Sequence, residues 1–165
     1  MSIAQWPDKA WVKVFADDEV VRMGTYTPNV NEQFKRNAST LYGGLYVYLF
    51  INGALAGTER IRTLIYGDTA YSSALYTSSW TDLSDISNIA TRWHGWVFTE
   101  FTSGHLNKNS TYYIGCEIDQ YTRNGTTFYI GLKYDYPNPV YGSASTLFSS
   151  CPIAFKPYTY KARVA

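Results

Sequence analysis

Leu45-Tyr46-Val47-Tyr48-Leu49-Phe50-Ile51, closed by Asn52-Gly53, is the stretch on which the fold of this 165-residue chain turns. Aliphatic and aromatic residues alternate at period two. Leu45, Val47, Leu49 and Ile51 therefore share one face of a β-strand, and Tyr46, Tyr48 and Phe50 share the other. With both faces apolar, the strand is central and covered on both sides, or its Tyr face lies beneath a loop. Asn-Gly tolerates positive φ at both positions and is the strongest short hairpin signal. The expected return strand is Arg60 to Tyr66, with Ile61, Thr63 and Ile65 on one face.

The same pattern recurs on either side. Trp11 to Phe15 and Val20 to Met23 read as an opening hairpin. Residues 67–91 form a long polar stretch with short strand pieces and a helical turn within Asp82 to Ile89. Trp96 to Phe101 reads as a strand with Val97, Thr99 and Phe101 inward, and Asn107-Lys108-Asn109 as a turn. Tyr112, Ile114, Cys116 and Ile118 then alternate with Tyr113, Gly115, Glu117 and Asp119. Asn124-Gly125 should fold that strand back onto Phe128, Ile130, Leu132 and Tyr134, which Pro137 and Pro139 stop. Ile153 to Tyr160 reads as a final strand, which Pro157 marks as an edge or a bulge. About eight short antiparallel strands with hardly any helix imply an all-β fold: a double-sheet sandwich of the jelly-roll kind. It is expected to form one domain over residues 1–165, with 1–10 and 159–165 as interaction arms.

Composition agrees. Tyr occurs 16 times and aromatic residues make up 18% of the chain, while the strong helix formers are sparse. The formal net charge of +1 leaves no electrostatic footprint for nucleic acid and no polybasic run for a membrane surface. Met1 to Lys13 holds no apolar run of signal-peptide length, so synthesis in a cytoplasm is expected, with Cys116 and Cys151 both reduced.

No catalytic constellation emerges. His94 and His105 are separated and share no ligand spacing with the two cysteines. There is no Gly-x-Ser-x-Gly elbow, and Ser72, Ser73, Ser78 and Ser79 fall in turn-like runs. Glu100 and Glu117 are carboxylates on strands, which a solvated sheet face explains. Asp17-Asp18-Glu19, Asp82 and Asp85 lack the spacing of a calcium loop. Asn37, Asn109 and Asn124 begin glycosylation sequons but read as turn residues. No catalytic residue, metal site or cofactor is assigned, and an enzymatic role is not expected.

The aromatics carry the functional signal. Tyr71, Tyr76, Trp80 and Trp93 lie in or beside the irregular region, where loops of a sandwich bind ligands, and are candidate glycan platforms. Tyr46 and Tyr48, on the second face of a central strand, would form a patch too apolar for a free monomer, so they are candidate protein contacts. Trp6, Tyr158 and Tyr160, in or beside the terminal arms, join them.

The order of motifs also carries a resemblance. Glu32-Gln33-Phe34 precedes Leu45-Tyr46-Val47-Tyr48-Leu49, followed by Ile61 to Tyr66 and by Trp96-Val97 leading to Phe101. Then come Leu106 to Ile114 with Tyr112-Tyr113, Tyr141-Gly142-Ser143-Ala144 and Ile153-Ala154-Phe155-Lys156. From about residue 31 to 160 this resembles a family of jelly-roll domains akin to carbohydrate-binding modules, found in bacteriophage virion proteins and bacterial surface proteins. Residues 67–91 lack the Pro-Gly turn common in that family. The resemblance implies a structural virion protein made in the host cytoplasm: a capsid decoration (cement) protein or a small tail or head-fibre component. It would be homo-oligomeric and in contact with other capsid or tail proteins. The other reading is a glycan-binding module of a receptor-binding adhesin.

Overall fold

Along the long strands every second residue is buried, and this alternation sets two antiparallel sheets against a common core. The computed structural model describes residues 11–13, 20–52, 55, 57–86, 92–119, 127–131 and 155–161. Trp6, the arm 1–10, Asp17-Asp18-Glu19, Asn124-Gly125, Pro137, Pro139, Tyr141 to Ala144 and Cys151 lie outside the described residues.

The described strands are β1 (Trp11–Lys13), β2 (Val21–Tyr26), β3 (Glu32–Gln33), β4 (Gly44–Asn52), β5 (Arg60–Tyr66), β6 (Ala74–Thr77), β7 (Thr81–Asp82), β8 (Arg92–Glu100), β9 (His105–Leu106), β10 (Tyr112–Asp119), β11 (Thr127–Gly131), β12 (Phe155–Tyr158) and β13 (Tyr160–Lys161). One turn of 3-10 helix, Leu83–Asp85, falls where a helical turn was expected. In the first sheet β8 pairs with β4 along its whole length, Gly44 opposite Glu100 through Asn52 opposite Arg92. The other edge of β4 takes β12 on Gly44 to Val47 and β11 on Leu49 to Asn52, with β1 beyond β11. In the second sheet the order is β2, β10, β5, and then β6 and β7 share the far edge of β5. A third, three-stranded sheet orders β13, β3 and β9.

The inner rows meet in one cluster: Leu45, Val47, Leu49, Ile51, Val97 and Phe155 from the first sheet, and Val21, Met23, Ile61, Ile65, Ile114, Cys116 and Ile118 from the second. Each aliphatic side chain removed from water contributes about 1.5–3 kcal/mol. Phe34 and Phe101 stack inside the cluster, ring centroids 4.6 Å apart. The inner faces also share one polar contact. Thr63 donates to Thr99 (2.5 Å), and the Thr99 hydroxyl donates to the Leu45 carbonyl (2.9 Å), which joins the sheets without an orphaned hydroxyl.

Three expected hairpins are not hairpins. β4 and β5 belong to different sheets, as do β1 and β2, and β10 and β11. A turn signal shows that the chain reverses but not whether it does so within a sheet or across the core. Here it crosses, because β4 and β5 each carry a buried row, Leu45 to Ile51 and Ile61 to Ile65, and the two rows meet face to face in the core. The intervening residues also exceed a two-residue turn. Glu59, buried, accepts from the backbone N–H groups of Gly57 (3.1 Å) and Thr58 (3.2 Å), and its carbonyl accepts from the N–H of Leu83.

β11 and β12 are two halves of one strand position. Ile130 lies opposite Leu49 and Phe155 opposite Val47, so the two segments meet at the level of Tyr48 on one edge of β4. Pro157 sits in this position opposite Leu45, on an edge among the described residues.

Candidate functional site

The two outer faces differ in how far the chain itself satisfies them. On the second sheet, Arg60, Arg62, Leu64 and Tyr66 of β5 alternate with the buried Ile61, Thr63 and Ile65. Cross-strand register puts Arg60 opposite Asp119 and Arg62 opposite Glu117. Both pairs are closed: Arg60 donates to Asp119 at 2.9 Å, and the Arg62 guanidinium bonds to Glu117. Trp80, from the segment between β6 and β7, takes both guanidiniums against its ring, at 4.4 Å for Arg60 and 4.3 Å for Arg62.

Further along the same face Tyr71 packs on Tyr66 (4.7 Å) and Tyr113 (6.2 Å), with the Arg22 guanidinium 4.8 Å from its ring. Tyr71 is held at φ 53°, a left-handed conformation that its packing must maintain. Burial pushes its phenol up to about 12, against the opposing pull of Arg22. Each cation named on this face thus lies against a carboxylate or a ring of its own chain.

The outer face of the first sheet is different. Its rows read Tyr158, Gly44, Glu100; then Lys156, Tyr46, Phe98; then Tyr48 beside Trp96. The rings interlock at steep angles. Tyr46 meets Phe98 at 4.8 Å and 49°, Tyr48 meets Trp96 at 5.2 Å and 86°, and Phe98 meets Tyr158 at 6.4 Å and 84°. Tyr160 extends the cluster from Tyr158 at 6.0 Å. Lys156 lies across these rings, its ammonium 5.1 Å from the Tyr46 centroid and 4.6 Å from that of Trp96. Among the described residues no carboxylate comes within ion-pair distance of Lys156. Gly44 opens the row because a side chain there would collide with the Thr99 carbonyl and the Phe98 ring.

Tyr46, Tyr48, Tyr158 and Tyr160 are therefore gathered on one face, although Tyr158 and Tyr160 are more than a hundred residues from Tyr46 in sequence. Trp96, Phe98 and Lys156 join them and were not singled out from sequence. The alternation that put Val97 and Thr99 inward already placed Trp96 and Phe98 outward, but their neighbours depend on cross-strand register. The four candidate glycan platforms are dispersed. Tyr71 and Trp80 lie on the second sheet's outer face. Tyr76 packs near Gly104, its hydroxyl donating to the His105 carbonyl at 3.2 Å, and Trp93 packs against Gly95 and the core.

The carboxylates do not converge. Glu100 is on the outer face of the first sheet and Glu117 on that of the second, so the sandwich separates them. No group of three or more His, Cys, Asp or Glu side chains suited to a metal occurs among the described residues. His105 is exposed in β9. Cys116 is a free, buried thiol, pushed well above its ordinary range by burial and by the neighbouring Glu117.

A buried carboxylate does organise one end of the molecule. Glu32 in β3 accepts from the Tyr26 hydroxyl with both oxygens (2.7 Å), from Thr159 (2.6 Å) and from the Lys161 ammonium (2.8 Å). Burial alone would raise its pKa, but the bonds from Lys161, Thr159 and Tyr26 outweigh it and hold the carboxyl below its ordinary value. Glu32 thereby ties β13, near the chain's end, to β2 and β3 near its beginning.

Comparison with protein-family models, with curated proteins and with solved structures gives no significant match.

Proposed function

We propose that this chain is a non-catalytic contact module of a larger assembly, and specifically a bacteriophage virion component: a capsid decoration protein or a small tail or head-fibre protein. The observation that carries the contact role is the interlocked aromatic outer face of the first sheet, with an ammonium that no carboxylate among the described residues pairs. Aromatic residues are enriched at interface cores, and apolar patches of this kind mark interaction sites. The virion assignment rests on the motif order quoted above.

A jelly-roll connectivity is part of this reading, and the strand orders support it. Counting β11 with β12, and β6 with β7, each main sheet has four strand positions among the described residues, eight in all. Among the strands of the two main sheets, the chain changes sheet at β1 to β2, β2 to β4, β4 to β5, β7 to β8, β8 to β10 and β10 to β11.

The test is sedimentation of the chain with the particles of the phage that encodes it. The wild type should co-sediment with capsids or tails. A Tyr46→Ser/Phe98→Ser variant, folded by circular dichroism, should stay at the top of the gradient. A wild-type chain that never enters a particle fraction overturns the reading.

A second reading, glycan binding, draws on Trp80 with its flanking Arg60, Arg62, Glu117 and Asp119. It expects saturable binding on a glycan array that Trp80→Ala removes. An array without signal refutes it.

A further inference from the structure

The contact reading names a face but not the chemistry that fits it, and that chemistry is written in the contrast between the two sheets. On the second sheet Arg60 and Arg62 are neutralised by Asp119 and Glu117. On the first, Lys156 is drawn over Tyr46 and Trp96, and no carboxylate among the described residues pairs with it. Glu100, the acid of this face among the described residues, stands opposite Gly44, whereas the Lys156 ammonium leans over Trp96, four residues away along β8. An ammonium over rings keeps part of its hydration, and cation–π contact at an exposed site supplies only about 0.5–1 kcal/mol. A carboxylate brought from outside gains a charge-assisted bond in surroundings that the rings have already partly dried.

We infer that the outer face of the first sheet docks an acidic segment of another protein, with a carboxylate side chain set on the Lys156 ammonium and apolar flanks packed on Tyr46, Trp96 and Phe98. This rests on the reading of that face as a contact surface.

Ring geometry favours a protein over a glycan. A sugar stacks on a ring laid flat, whereas Trp96 meets the buried Tyr48 at 86° and Phe98 meets Tyr158 at 84°, so the surface offers edges and notches. Such relief fits side chains. Its position also suits the task, because Tyr46, Tyr48, Trp96 and Phe98 project from β4 and its full-length partner β8, whose opposite rows are locked in the core, so the floor is pre-organised and little ordering entropy is lost on binding.

The probe is 3-phenylpropionate, an apolar body carrying one carboxylate, titrated into the full isotopically labelled chain and followed by NMR. Controls are phenethylamine, 3-phenylpropanol and a trimer of galacturonic acid. The expected result is saturable shifts of the Trp96 indole N–H and the Lys156 side chain with phenylpropionate, and weaker binding of the alcohol and the amine. Lys156→Gln should weaken phenylpropionate binding by about tenfold, equivalent to about 1.4 kcal/mol, while Lys156→Arg keeps it. Core signals from Val47 and Ile114 report that each variant is folded.

Equal binding of alcohol and carboxylate overturns the acid preference and leaves the contact role standing. Binding of the uronate trimer without phenylpropionate overturns the protein segment in favour of an acidic glycan. If no probe shifts Trp96, the inference fails. The co-sedimentation experiment then decides separately whether the contact role fails with it.

Discussion

Replacing Glu32 by Gln tests whether a single buried charge clasps the two ends of the chain. The side chain is 1% exposed, while its partner Lys161 is 60% exposed. The amide keeps the shape of the carboxylate but has one acceptor oxygen in place of two, and its NH2 must face a donor. Hydrogen bonds to a charged group are worth about 1.5–3 kcal/mol and neutral ones about 1 kcal/mol. The Tyr26 and Thr159 bonds, both sheltered, account for most of the loss. The exposed Lys161 turns to water and adds less than about 1 kcal/mol. The expected cost at pH 7 is about 2 kcal/mol, or about 4–8 °C in Tm for a chain of this size.

The pH dependence carries the sign. The folded carboxyl is held below its ordinary value, so the wild type's advantage is fully present above the ordinary carboxylate value. It is lost as pH falls through the lower folded value. Urea denaturation of both proteins should show the gap at pH 7 and its closure as the solution is taken well below about pH 4.3. Amide exchange should quicken at Glu32, Gln33, Tyr160 and Lys161 before it does in the core. Equal stability at pH 7, or a gap that persists unchanged in acid, would refute the reasoning.

Other predictions follow from the same geometry. Thr99→Val strands the Thr63 hydroxyl in the core and should cost about 1–3 kcal/mol, whereas Thr63→Val/Thr99→Val together should cost less than the sum of the single changes; a double-mutant cycle in urea checks this, and strict additivity counts against the hydroxyl bridge. Deleting residues 132–154 and joining Gly131 to Phe155 keeps the register along β4, so the shortened chain should fold with a cooperative melt; a chain that shows no β signal by circular dichroism would contradict the collinear strand. Cys116 should resist a thiol reagent at pH 8 until the chain unfolds, as read by peptide mass mapping; complete modification of the native protein within minutes would place that thiol at the surface.

Strand positions were legible because their cause is local. The alternation in Gly44–Asn52 and in Arg60–Tyr66 is visible in the residues themselves, and both strands fall where the period places them. The buried row of β10, Tyr112, Ile114, Cys116 and Ile118, was equally plain. Pairing was not legible. Asn52-Gly53 marks a reversal, yet β5 goes to the opposite sheet. The sheet of two-residue strands around Glu32 is too short to show any period. Glu32 itself looks like any surface acid until Tyr26, Thr159 and Lys161 are brought around it.

The aromatic face divides the same way. That Tyr46 and Tyr48 point away from the core follows from residue order alone, since successive side chains of a strand leave on opposite sides. That they meet Trp96, Phe98, Lys156 and Tyr158 follows from contacts between segments some fifty to over a hundred residues apart. Those contacts are chosen collectively, by the arrangement that buries every inner row at once. An all-β chain with spare aromatics could thus be read from one strand's alternation, while the gathering of those aromatics around the Lys156 ammonium needed the closed sandwich.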